Sequence, residues 1–173
     1  MAQDSILTQT FIETTMVAAR KNLERDGKVV PALFVRLSNN QRLVVLVDLA
    51  ATSEQKQAHF AAIGRLLRKN GQDISEAMLV SEGWFVKPPK GTSALDIRPS
   101  QHPQRREAIV LIGRDAAGER ASSLVQPFGR DPENKPLWEK PVMAIYNQVA
   151  DQGYRIVSLL DQLFINNLKG GER

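Results

Sequence analysis

The residues in this chain that could do chemistry gather between Ser81 and Glu107. In an extended strand alternate side chains share a face. Met78, Val80, Glu82, Trp84 and Val86 would then line one side, setting a carboxylate among large apolar groups. A carboxylate so placed needs a partner or titrates above its ordinary range, and such groups concentrate at functional sites. Arg106, at the head of a later apolar run, is the expected partner. The plainer alternatives are a structural Glu–Arg pair or a strand-end carboxylate reaching water.

Between Glu82 and Glu107 the charge is lopsided. From Lys87 to Arg106, five cations (Lys87, Lys90, Arg98, Arg105 and Arg106) face one anion, Asp96, and this +4 equals the net charge of the whole chain. Cations beside Trp84 and His102 could hold phosphate or stack on a base. The competing reading is a solvated basic loop. No helix-turn-helix, zinc-finger or aromatic RNA-binding strand pattern accompanies it, so nucleic acid is a secondary expectation.

His102 with Glu107 could be an acid–base pair, and Ser81 or Ser100 a nucleophile, but no nucleophile-elbow sequence surrounds them. The second histidine, His59, falls in a helical run, so a metal site with both would need them to meet in space. With no cysteine in the chain, disulfides, thiolate metal sites and a cysteine nucleophile are excluded. There is no glycine-rich phosphate loop either. No catalytic, cofactor or metal residue is assigned, and no cofactor is expected. The candidate ligand or partner site is Glu82, Trp84, Arg98, His102, Arg105, Arg106 and Glu107.

The elements that must position these residues follow from patterning. The chain has 173 residues, 42% hydrophobic and 24% charged, which suits one globular domain. Residues 5–25 read as a helix with Ile12, Met16, Ala19 and Leu23 on one face, capped by Asp4 or Ser5 and stopped at Gly27. Val29–Leu37 and Arg42–Leu49 form a hairpin about Ser38-Asn39-Asn40-Gln41. Leu43–Val47 is apolar on both faces, which suggests a central strand. Thr52 and Gln55 form a capping box for a second helix bearing Phe60, Ile63, Leu66 and Leu67 on one face, ended by Asn70-Gly71.

Three further strands are expected at Ala77–Lys87, Arg106–Arg114 and Arg120–Gln126. A C-terminal helix follows over Arg155–Leu168, although Tyr154–Leu160 could also be a strand. Lys169–Arg173 is a polar tail. Eight of nine prolines fall in two stretches, about 88–105 and 127–141, which read as long stiffened loops. The expectation is a single α+β domain over residues 1–173, an antiparallel sheet of five to six strands carrying about three helices.

Ser81-Glu82-Gly83-Trp84, with Arg98-Pro99-Ser100-Gln101-His102-Pro103-Gln104-Arg105-Arg106-Glu107 leading into Ala108–Ile112, resembles small bacterial and phage-associated proteins of unknown function. Those proteins pair a Glu-x-Trp strand with a Pro-Ser-x-x-Pro-x-Arg-x-Glu entry to the next strand. The resemblance implies no activity. It groups Glu82, Trp84, Arg106 and Glu107 as one constellation.

Residues 1–5 carry no positive charge, and Thr8, Gln9 and Thr10 interrupt the apolar residues after them, so no signal peptide is expected. No apolar run approaches the roughly 18 residues that span a bilayer. A cytoplasmic location without membrane contact is the expectation. Three functions remain open at this point: a non-enzymatic interaction protein that self-associates through its proline-rich loops or C-terminal helix, a nucleic-acid or phosphorylated-ligand binder using the Lys87–Arg106 loop, and a hydrolase-like enzyme using Glu82, His102 and Glu107.

Overall fold

The computed structural model describes residues 5–49, 52–87, 99–146 and 157–165. Its elements run α1 (Gln9–Asp26), β1 (Ala32–Leu37), β2 (Arg42–Leu46), α2 (Ser53–Lys69), β3 (Ile74–Phe85), β4 (Arg106–Asp115), β5 (Ala121–Arg130), β6 (Pro136–Trp138), β7 (Val142–Tyr146) and α3 (Val157–Phe164). A 3-10 turn, Pro99–Gln101, precedes β4. All seven strands join one antiparallel sheet in the order β2-β1-β3-β4-β5-β6, with β7 also on β5. This is the expected α+β arrangement, with two strands more than the apolar runs announced.

Helix α1 buries Ile12, Met16, Ala19 and Leu23 as their spacing requires, and Gly27 closes it with φ 72° and its N–H on Leu23 O at 2.9 Å. The N-cap is Thr8, whose hydroxyl accepts from Phe11 N–H, and not Asp4 or Ser5. Ser5 is otherwise engaged: it donates to the Glu76 carboxylate at 2.7 Å and accepts from Leu7 N–H at 3.1 Å. That contact pins the segment before α1 to the sheet and moves the start of the helix from residue 5 to Gln9.

The hairpin forms as expected, with Asn40 at φ 68° in its turn. Its second strand is not central. β2 is the edge of the sheet, pairing only with β1 among the described residues. Its apolar residues on both faces have a different cause. Leu43, Val45 and Val47 pack beneath α2 with Phe60, while Val44 and Leu46, on the α1 side, are 59% and 69% exposed.

In α2 the Thr52–Gln55 capping box is present, and Phe60, Gly64 and Leu67 are buried. Leu66 departs from the expected apolar face. It is largely exposed, because Gly64 and Leu67 rather than Leu66 point at α3 and the sheet.

The stretch 127–141 is not a long loop. β5 continues through Pro127 to Arg130, turns at Asp131–Lys135 with Asn134 at φ 64°, and returns as β6. Proline is tolerated there because β6 lies at a sheet edge. Of the stretch 88–105, residues 88–98, including Lys90, Asp96 and Arg98, lie outside the described residues.

Two apolar clusters sit on opposite faces of the sheet. On one, α1 covers Met78, Val80, Ile109, Leu111, Leu124 and Phe128; on the other, α2 and α3 cover Leu33, Val35, Leu37, Ala77 and Leu79. Helix α3 is held within its own chain, its Leu160 and Leu163 fully buried. A Cβ on Gly64 would lie 2.3 Å from Leu163 O, so glycine permits the close helix contact. Arg68 caps the end of α3, donating to Leu163 O at 2.7 Å and Ile165 O at 2.8 Å. Arg114 pairs with Asp161 and stacks on Phe164 at 4.9 Å. Among the described residues, no helix is long and apolar enough to cross a membrane.

Candidate functional site

Strands β3 and β4 bring Glu82, Trp84 and Glu107 to one face, with Trp84 directly opposite Glu107 and Glu82 opposite Ile109. Phe128 and Trp138 continue the row on β5 and β6. Glu82 is half-buried, as its alternation with Met78 and Val80 implied, but its partner is the backbone N–H of Val29 in the segment after α1. Arg106 is not that partner. It stands opposite Phe85, one residue from Glu107, so its side chain leaves the other face of the sheet and pairs with Glu139 at 2.7 Å.

Glu107 instead takes both arms of Arg130, at 2.8 and 3.1 Å. This hydrogen bond holds the Arg130 guanidinium above its ordinary value; burial opposes the rise, and the charges of Glu107 and Glu82 add to it. Arg105 lies over the Trp84 ring at 4.6 Å, a cation–π contact on an exposed indole. His102 accepts from Gln104 N–H at its Nδ1, 3.1 Å away, which organises its own turn. Ser81 follows the opposite phase of β3 from Glu82. Arg98 lies outside the described residues.

The described carboxylates of the constellation are therefore taken up outside it, Glu82 by backbone and Glu107 by Arg130, and Arg106, paired with Glu139, is separated from Glu82 by the thickness of the sheet. The described surface cleft lies elsewhere, a hollow of about 120 Å³ between Arg68, Asp73, Ile74, Ala116 and Phe164. Arg68 there is already committed to the end of α3. Among the described residues no cluster of three or more His, Asp or Glu is placed to hold a metal ion.

The deepest polar group is one that sequence reasoning missed. Glu76 is 1% exposed on the α1 face of β3. It accepts from Ser5 Oγ at 2.7 Å, Ile6 N–H at 2.9 Å and Arg120 at 2.6 Å, and Arg36 approaches to 3.8 Å. Extending the Met78–Val80 alternation backwards by one step places Glu76 on the buried face. Beginning the strand at Ala77 hid it.

The second missed feature is the β2 edge. Leu37 N–H donates to Gln41 O at 2.8 Å and Val47 N–H to Pro31 O at 3.1 Å. With the antiparallel register between them, odd residues of β2 direct their backbone groups at β1. The even residues Arg42, Val44 and Leu46 direct theirs outward, and their side chains are exposed, as is that of Asp48 just beyond the strand. Arg42 stacks on Phe11 at 5.4 Å, and Phe11 meets Phe34 edge-on at 5.9 Å, so α1 stops short of Val44 and Leu46. The opposite margin of the sheet is different: Pro136 lies in β6 and Lys140-Pro141 separates β6 from β7. Proline and lysine are the usual means of blunting an edge, and β2 contains neither. Comparison of the chain with protein-family models, with curated proteins and with solved structures finds no match.

Proposed function

We propose that this chain is a non-catalytic interaction protein that self-associates, and that β2 is the element through which it does so. One observation carries the reading: an edge strand, paired on one side only among the described residues, carries two largely exposed aliphatic side chains, Val44 at 59% and Leu46 at 69%. An edge of this kind is a template for another strand, and proteins that do not use it generally protect it. The association is assigned to β2 and not to the C-terminal helix, because Leu160 and Leu163 of α3 are spent on the chain's own core. Glu82, Glu107 and His102 are each engaged in holding neighbouring structure, Val29 N–H, Arg130 and Gln104 N–H in turn, which favours interaction over hydrolysis.

Light scattering over a wide concentration range tests the proposal. The wild-type chain is expected to move from monomer to dimer, and Leu46→Lys to remain monomeric. A wild-type chain that stays strictly monomeric at millimolar concentration overturns it.

A further inference from the structure

We infer that Trp84 and Arg105 form a binding site for a nucleotide, whose base stacks on them and whose phosphate the guanidinium takes. The site is separate from β2 and does not depend on self-association. The first sign of it is a difference among arginines. Arg106 and Arg114 in β4, Arg120 just before β5 and Arg130 within it each reach a carboxylate. Arg105 is exposed and adjoins Arg106 in the chain, yet it reaches no carboxylate among the described residues.

Its guanidinium is nevertheless held in place. Arg105 N–H donates to His102 O at 3.2 Å and Gln104 N–H to His102 Nδ1 at 3.1 Å, so the turn before β4 closes on itself. Arg105 Nη1 donates to Ser100 O at 2.8 Å, and the group lies 4.6 Å from the centroid of the Trp84 ring. The stack uses one face of the guanidinium, and Ser100 uses one of its N–H donors. Most of the N–H edge is left over, and that edge is the part of an arginine that grips phosphate oxygens. Trp84 is 44% exposed even with Arg105 upon it, so indole and guanidinium together present a planar surface to water.

An anion alone would call for the cation and not the indole. An apolar ring alone would call for the indole and not a cation left without a counter-charge. A nucleotide answers both, because bases stack on indole and guanidinium planes alike and carry a phosphate beside them. Phosphotyrosine also joins a ring to a phosphate, but its single ring has less face to lay on the stack than a purine. The nucleotide can be free or part of a single strand, and the chemistry of the contact is the same.

Titration of the full chain with adenosine monophosphate, followed by nuclear magnetic resonance, tests the site. The Trp84 indole N–H signal is expected to shift and that of Trp138 to stay in place. Adenosine and inorganic phosphate should each bind at least about tenfold more weakly than the nucleotide that joins them. Arg105→Gln and Trp84→Ala should each weaken binding about tenfold. Both side chains are exposed, so the thermal melts of these variants should match the wild type. Arg106→Gln removes the same charge from the other face of the sheet and should leave binding within about twofold of wild type. A short single-stranded oligodeoxyadenylate separates the two sources. Unchanged affinity per nucleotide assigns the free nucleotide, and a gain of about tenfold or more assigns the strand.

No shift at Trp84 with either probe at millimolar concentration overturns the inference. So does tighter binding of phosphotyrosine than of adenosine monophosphate, or a loss in Arg106→Gln as large as in Arg105→Gln. Self-association is read separately by light scattering and stands or falls on that result alone.

Discussion

Substituting Glu76 tests the most demanding side chain in the protein. Its carboxylate ties Ser5, Ile6 and Arg120 to the start of β3 from a fully buried position. Removing one member of a buried charged network strands the others. Glu76→Ala is therefore expected to lower the unfolding free energy by about 3 kcal/mol in urea titrations. It should also free the segment before α1, seen as faster amide exchange at Ile6 and Leu7. Glu82→Gln should cost no more than about 1 kcal/mol, since the amide oxygen can still accept from Val29 N–H. If the two variants were equally damaging, the assignment of Glu76 as the hub would be wrong. The contrast is instructive about reading residues. Glu82 stood out in the sequence because Trp84 and a basic stretch flank it, whereas Glu76 has the same alternation and no such neighbours. Burial of Glu76 comes from Ser5, Ile6 and Arg120, none within forty positions of it, so nothing local marks it.

Among the elements, the docking of α3 onto α2 depends on the missing side chain at Gly64. A methyl group there would collide with the backbone of Leu163, which cannot move without lifting the helix. Gly64→Ala is expected to destabilise the fold by about 2 kcal/mol despite alanine's better helix propensity. Exchange of amides in 157–165 should rise more than in α1. Gly27→Ala is the matching control. Its φ of 72° strains alanine although open space surrounds it, so about 1 kcal/mol is expected with no change at α3. Thr52→Ala should remove the capping box and cost about 1 kcal/mol, measured by thermal melting. The α1 face, the α2 face apart from Leu66, and the capping box at Thr52 were legible from spacing, whereas the α1 cap slid to Thr8 when Ser5 was claimed by Glu76. β6 and β7 were not legible. They are short, carry or adjoin prolines, and become strands only because β5 offers them a ladder.

At the scale of the whole molecule, the sheet has two unlike margins. The β6–β7 side is punctuated by Pro136 and Pro141 and anchored to α1, where the Trp138 indole donates to Glu24 at 2.8 Å and Arg20 stacks on the ring at 4.4 Å. The β2 side pairs only with β1 among the described residues and exposes Val44 and Leu46. Leu46→Lys should therefore abolish association while changing stability by no more than about 0.5 kcal/mol, because the side chain it removes touches little of its own chain. A large loss of stability in Leu46→Lys would place that residue in the fold instead of at an interface. The basic character of the chain does not override this reading. Of the cations between Lys87 and Arg106, Arg106 is bound to Glu139 and Arg105 is stacked on Trp84.

The sequence by itself determined the α+β class, the face of α1 and, apart from Leu66, that of α2, the capping box at Thr52, the stop at Gly27 and the hairpin about Asn40. Each depends on residues within one or two turns of chain, where spacing and backbone preference act directly. Tertiary structure alone decided that β2 is an edge, that Glu76 is buried, and that Arg106 and Glu82 lie on opposite faces. Strand order and register are settled by contacts between segments far apart in the chain, and a shift of one residue carries a side chain to the other side of the sheet. Apolar residues on both faces of β2 look alike whether the strand is central or marginal. Only the position of its neighbours shows that half of them face outward.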